Sequence, residues 1–209
     1  MEIKDLGLVA FDEAWKIQER CVNQAIEARD KCFLLLCEHP VVLTLGRLAD
    51  RKHILLSDQE LLRRNISVVP VNRGGEVTLH APGQLVIYPI FNLENSGKDL
   101  HQYLHELEEV GIDFLRLFDI VGRRISGKTG VWIGEKKIIS IGIGVRKWVA
   151  FHGMSINIAV DLNLFDVIHP CGMDVEMTSI EHEGKNSFSM EDAKKKIVNV
   201  FQQRFGEDS

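Results

Sequence analysis

Cys171 stands between Pro170 and Gly172 in HPCGM, a polar, turn-rich stretch running from His169 to Met173. A thiol in such a turn is accessible, whereas Cys21, Cys32 and Cys37 lie in apolar segments and read as small buried hydrophobes. A thiol attacks only as thiolate, so a nucleophilic Cys171 needs a cation or a helix N-terminus nearby to bring its pKa below about 8.5. Lys137 is a candidate for that cation, because it opens KIISIGIG, an apolar strand in which a solvated lysine is out of place. Its position just past a hairpin turn equally suits an ordinary surface lysine. A second group of interest is RGGEVTLHAPGQ, from Arg73 to Gln84. Its paired glycines let backbone approach a ligand closely, and Pro82-Gly83 turns the chain at the far end, so it reads as a binding loop. No Gly-Lys-Ser/Thr completes a P-loop there, and GIGVRK at 142–147 does not complete a dinucleotide fingerprint. His80 could orient a substrate or move a proton, and His152 equally suits a hydrogen-bonded core position. His101 and His105 lie one helical turn apart, but the glutamate of HExxH is missing and no metal site is expected.

The elements that must position these groups follow from periodicity. Trp15, Ile17, Cys21, Ala25 and Ile26 recur at helical spacing between Asp12 and Asp30. CFLLLCEHPVVLTLGR reads as two buried strands broken at His39-Pro40. Ser57 and Glu60 form a capping box for a short helix, and Ile66 to Val71 is strand-like. VTLH and QLVIYPI are strands on either side of the Ala81-Pro82-Gly83 turn. Leu100, Tyr103, Leu104, Leu107, Val110, Phe114, Leu117 and Phe118 mark the clearest amphipathic helix. Gly130 to Val145 reads as a hairpin turning at Gly134-Glu135-Lys136, FHGMSINIAV as a further strand, and Ser189 with Asp192 as the cap of a last helix. Mixed strands and helices without a regular βαβ alternation predict an α+β fold, a mixed β-sheet flanked by helices, as one domain over residues 1–209.

Composition narrows the function. The chain has 209 residues, 45% of them hydrophobic, enough for one sizeable core. A net charge of -5 and a pI near 5.9 argue against nucleic acid as a partner. The start, MEIKDLGLVAFDEAW, lacks the basic and apolar character of a secretory signal, and the apolar runs are too short to cross a bilayer. Four scattered cysteines without a CxxC pair suggest free thiols in a reducing compartment, so a cytoplasmic location away from the membrane is expected. Arg123, Arg124, Arg146 and Lys147 are candidates for a local basic patch that meets an acidic partner.

Five segments taken together resemble one family: HPVVLTLGR at 39–47, RGGEVTLHAPGQ at 73–84, TGVWIGEKKIISIG at 129–142, FHGMSINI at 151–158 and HPCGM at 169–173. In this order they resemble the lipoyl (octanoyl) transferases, relatives of the lipoate and biotin protein ligases, over nearly the whole chain. The resemblance implies that Cys171 is the nucleophile and Lys137 its partner in a Cys/Lys dyad. It implies substrate contacts from Arg73, Gly74, Gly75, Glu76, Val77, Thr78, Leu79 and His80, from Ser140, Ile141 and Gly142, and from Gly153, Met154 and Ser155. The expected reaction moves an octanoyl or lipoyl group from acyl carrier protein through a Cys171 thioester to a lysine of lipoyl domains, those of 2-oxoacid dehydrogenase complexes and the glycine cleavage H protein. The donor is already activated, so neither ATP nor another cofactor is expected. Three positions depart from the family pattern: Leu79 replaces a usual tyrosine, Ala81 a glycine and His169 an asparagine. The rival readings are an ATP-dependent lipoate ligase, which needs no thiol, a Cys-Lys thioesterase that passes the acyl group to water, and a non-catalytic carrier-binding module.

Overall fold

The computed structural model describes residues 1–94, 97–169, 175–184 and 189–206. Cys171, with the rest of HPCGM after His169, lies outside the described residues. In chain order the elements are β1 (Glu2–Leu8), α1 (Phe11–Glu27), β2 (Phe33–Glu38), β3 (Val42–Leu45), α2 (Asp58–Arg63), β4 (Ser67–Pro70), β5 (Val77–His80), β6 (Gln84–Ile90), α3 (Leu100–Arg116), β7 (Arg123–Ile125), β8 (Lys128–Ile133), β9 (Lys136–Arg146), β10 (Val149–Asn157), α4 (Ile180–Glu183) and α5 (Met190–Phe205). Seven strands form a large sheet in the order β1-β2-β6-β10-β9-β8-β7, and β4-β3-β5 form a small one. The β1–β2 and β3–β4 pairs are parallel and the rest antiparallel, the mixed α+β arrangement expected.

The break at His39-Pro40 carries the chain from one sheet to the other: β2 lies in the large sheet and β3 in the small one. β2 is apolar from Phe33 to Cys37 because both of its faces are covered. Leu34 and Leu36 join the core under α3 and α5, while Phe33, Leu35 and Cys37 join the core under α1. A third cluster, with Leu43, Val77, Leu79 and Phe165, fills the space around the small sheet. Deleting a wholly buried ring from these cores, such as Phe114 or Phe201, costs roughly 3–5 kcal/mol.

Local signals hold where side chains close their own hydrogen bonds. Ser57 Oγ accepts from Glu60 N–H while the Glu60 carboxylate accepts from Ser57 N–H, and Ser189 Oγ accepts from Asp192 N–H. The apolar stripe of α3 is buried along its middle, but Leu100 and Leu117 at or beyond its ends remain 37% and 47% exposed. The strand beginning at Val149 is the partner of β9 in a two-residue hairpin, with Arg146 opposite Val149. Lys147 and Trp148 both take positive φ, the type I′ geometry that matches strand twist. The four candidate patch cations do not converge. Arg123 donates to Gly134 O and Arg124 pairs with Glu109, near the Lys137 end of β9. Arg146, which donates to Asn23 Oδ1, and Lys147 lie at the other end, nine residues and roughly 30 Å along the strand.

Candidate active site

β9 builds the site around Lys137. The residue is 3% exposed although it follows the turn directly, because the segment after Val175 runs along its outer side. Lys137 N–H donates to Glu176 O at 2.8 Å, and Thr178 N–H donates to Lys137 O at 2.9 Å. Its Nζ sits 5.2 Å from the centroid of the Trp132 ring, a cation-π placement in which the buried indole orients the ammonium. The side chain passes over Gly130, whose φ is +120°. A Cβ at Gly130 would meet Ile139 O at 2.5 Å and Lys137 Cε at 2.7 Å. Glycine is therefore required, and its N–H is held by the buried Glu108, whose Oε1 accepts at 2.9 Å.

Two cavities meet at this lysine, sharing Gly75, Lys137, Ile141 and Gly142. The inner one, about 60 Å³, lies between the sheets and is lined by the loop after Val71, by β5, by β9 and by the Gly153-Met154-Ser155 stretch of β10. The outer one, about 680 Å³, opens beside β8 and the start of α3. Gly153 lacks a side chain for a packing reason, since a Cβ there would lie 2.3 Å from Ile87 O on β6.

Burial keeps the histidines around the inner cavity neutral, and their partners select the tautomers. Gln84 Nε2 donates to Leu79 O and Asn157 Oδ1, and Asn157 Nδ2 donates to Thr178 O. Gln84 Oε1 is thus left to accept from His80 Nδ1–H at 3.2 Å, which makes His80 Nε2 the unprotonated nitrogen. Burial, then the neighbouring His39 and Arg73, hold His80 well below the ordinary histidine range. His39 Nδ1–H donates to Val9 O at 2.7 Å, so its Nε2 accepts from Tyr88 O–H, also at 2.7 Å. Burial lowers the His39 pKa and raises that of Tyr88. His152 stacks on Trp15 with ring centroids 4.8 Å apart and contacts Asn72 Oδ1 through Nε2 at 3.0 Å. Burial and then Arg73 bring its pKa down to about 3.

Arg73 lines the inner cavity, but its guanidinium closes the loop on itself. It donates to Gly74 O, Glu76 O, Thr44 O and Thr44 Oγ1 at 2.9–3.0 Å. Gly75, Glu76, Val77, Thr78, His80, Ser140, Ile141, Gly142, Gly153, Met154 and Ser155 also line that cavity, and Gly74 lines the outer one. Leu79 lines neither. It alternates to the other face of β5 and packs with Leu43 and Phe165. His169, the last described residue before the candidate nucleophile, is anchored by its N–H to His53 O at 2.8 Å.

A family model, the lipoyl protein ligase A/B catalytic domain, matches residues 11–202. The chain belongs to that family. It is 44% identical over 203 residues to a curated protein of Syntrophotalea carbinolica named octanoyltransferase, covering 97% of this chain and 93% of that one. Among solved structures it is similar to lipoate-protein ligase A bound with ATP, with a TM-score of 0.76, 16% identity, and coverage of 98% of this chain and 85% of the other. It is also similar to biotin protein ligase from Aquifex aeolicus, with a TM-score of 0.55 and 13% identity over all of this chain and 72% of that one. The ligase-like α+β fold is therefore established. In this LplA/B-type domain the residues missed by sequence reasoning are the supports: Trp132, Gly130, Glu108, Tyr88 and the Gln84–Asn157 pair. Trp132 and Gly130 lie two residues apart on one face of β8, a period-2 signal that would have pointed to them.

Proposed function

We propose that this chain is an octanoyltransferase that moves an octanoyl group from acyl carrier protein to a lysine of a lipoyl domain, with Cys171 as nucleophile and Lys137 as its cation. The observation that carries the reading is the 44% identity, over nearly the full length of both chains, to a curated octanoyltransferase. The buried Lys137 at the junction of two cavities supports it.

In this mechanism the Cys171 thiolate attacks the thioester carbonyl of the donor. The bond from that carbon to the carrier's sulfur breaks, and the carrier leaves as a thiolate that takes a proton from water. The lysine amine of the acceptor then attacks the acyl-enzyme, the bond to Cys171 breaks, and an amide forms. Lys137 stabilises negative charge on the thiolate and on the oxyanion of each tetrahedral intermediate. His80 Nε2, kept unprotonated by burial and left free by the tautomer that Gln84 selects, accepts a proton from the attacking amine. Apolar surface beside the dyad covers the acyl chain, each buried methylene contributing about 0.8 kcal/mol. The acceptors are lipoyl domains of 2-oxoacid dehydrogenase complexes and the glycine cleavage H protein, and the reaction takes place in the cytoplasm without a cofactor. No helix among the described residues is long and apolar enough to cross a membrane. Mixing the enzyme with octanoyl-carrier protein and a lipoyl domain without ATP should acylate the domain on its lysine. Acylation only from free octanoate plus ATP would replace this reading with a ligase.

A further inference from the structure

The β8–β9 ladder stops where Val131 faces Ile139, yet β9 continues to Arg146. The outer cavity lies alongside this length of β9, which pairs with β10 on its other edge, with Lys128 and Thr129 of β8 on one side and Ile143 of β9 on the other. Leu104 of α3 gives a further apolar wall, and the Gly74-Gly75 loop, bonded through Gly74 N–H to Ile143 O, closes one edge.

The charge of this cavity is unlike that of the chain. Acidic residues outnumber Lys and Arg by 30 to 25, yet the walls carry Arg47, Lys128 and Lys137 and no carboxylate. Arg47 and Lys128 are exposed and have no acidic partner among the described residues. Lys128 Nζ lies 5.4 Å from the centroid of the same Trp132 ring that Lys137 approaches from within. A ligand suited to these walls carries one anionic group for the rim, an elongated body with both amide and apolar portions, and an electrophile at its inner end. The hydroxyl of Thr129 and the side chains of Leu104 and Ile143 match such a body.

We propose that the outer cavity receives the phosphopantetheine arm of the acyl donor, with its phosphate held by Arg47 and Lys128 and its thioester presented at Lys137. This rests on the thioester-donor reading above. Charge-assisted bonds from these two cations to a phosphate should favour the phosphorylated arm about tenfold or more in KM.

The test uses two soluble donors that differ only by the phosphate, octanoyl-pantetheine and octanoyl-4′-phosphopantetheine, with the full chain and a lipoyl domain. The wild-type enzyme should show the lower KM for the phosphorylated donor at similar kcat. Arg47→Ala and Lys128→Ala should raise that KM toward the unphosphorylated value, leaving octanoyl-pantetheine kinetics and the melting temperature unchanged. No phosphate preference in the wild type, or an equal loss for both donors in the variants, would overturn the proposal. So would ATP competing with the phosphorylated donor and losing that competition in the variants, since the rim would then be a nucleotide-phosphate site. If neither thioester acylates the acceptor while octanoate with ATP does, the underlying transferase reading fails instead.

Discussion

Replacing Gly130 by alanine isolates the placement of Lys137 from the general cost of altering a glycine. The new Cβ would stand 2.5 Å from Ile139 O and 2.7 Å from Lys137 Cε, at a φ of +120°. Backbone strain of this kind costs about 1–3 kcal/mol. The contact with Lys137 Cε displaces the lysine, and the contact with Ile139 O adds a backbone shift, because Gly130 N–H is bonded to Glu108 and Ile139 sits inside the sheet. A shift of about 1 Å in a catalytic group costs roughly 100-fold in rate. Gly127→Ala is the control: φ is +77° there, but no atom lies within 4 Å of the added Cβ. Gly127→Ala should lose stability in thermal melts through backbone strain alone, and Gly130→Ala should lose more, because its Cβ also meets backbone. Only Gly130→Ala should lose about two orders of magnitude in kcat for octanoyl transfer. Equal kcat in the two variants, with Gly130→Ala folded, would refute the claim that this glycine exists to pass Lys137.

Two further outcomes follow from the same geometry. His39, His80 and His152 all have pKa values below the ordinary histidine value, so the unfolded chain binds protons that the folded chain does not. Their contribution is complete above about pH 6.5 and is lost as the pH falls, at up to about 1.4 kcal/mol per pH unit for each histidine kept neutral. Urea melts between pH 7 and 4 should show this slope, and His152→Gln should flatten it by about one histidine's share down to about pH 3. Arg73→Lys keeps the charge but loses the fork that joins Gly74, Glu76 and Thr44, and should cost roughly 1–3 kcal/mol. An unchanged melting temperature would show that the loop does not need that clasp.

The sequence was informative wherever a local rule coincided with the tertiary solution. The capping box of α2, the Ser189 cap of α5, the apolar run of β2 and the stripe of α3 each specify their element without outside help. β1 was missed because EIKDLGL is a mostly solvated edge strand, and β7 because three residues carry no period. The β9–β10 hairpin was missed because Lys147-Trp148 lacks the asparagine or glycine that usually signals a type I′ turn. At the candidate site, residue types singled out Lys137, the glycine loop and His80, all of which line the inner cavity. Whether Lys137 is buried was not legible, since its burial comes from residues 176–178, far away in sequence. The basic patch failed for a similar reason: nearness in type and sequence does not place opposite ends of an 11-residue strand together. Cys171 lies outside the described residues, and its assignment rests on the resemblance.

The most direct test of the transferase mechanism is intact-protein mass spectrometry of the enzyme mixed with octanoyl-carrier protein, without ATP, comparing wild type with Cys171→Ser. The wild type should carry one octanoyl adduct that disappears as an added lipoyl domain gains it, and Cys171→Ser should carry none. An adduct of equal extent on Cys171→Ser, or transfer to the lipoyl domain by that variant at the wild-type rate, would contradict the assignment of Cys171 as the nucleophile.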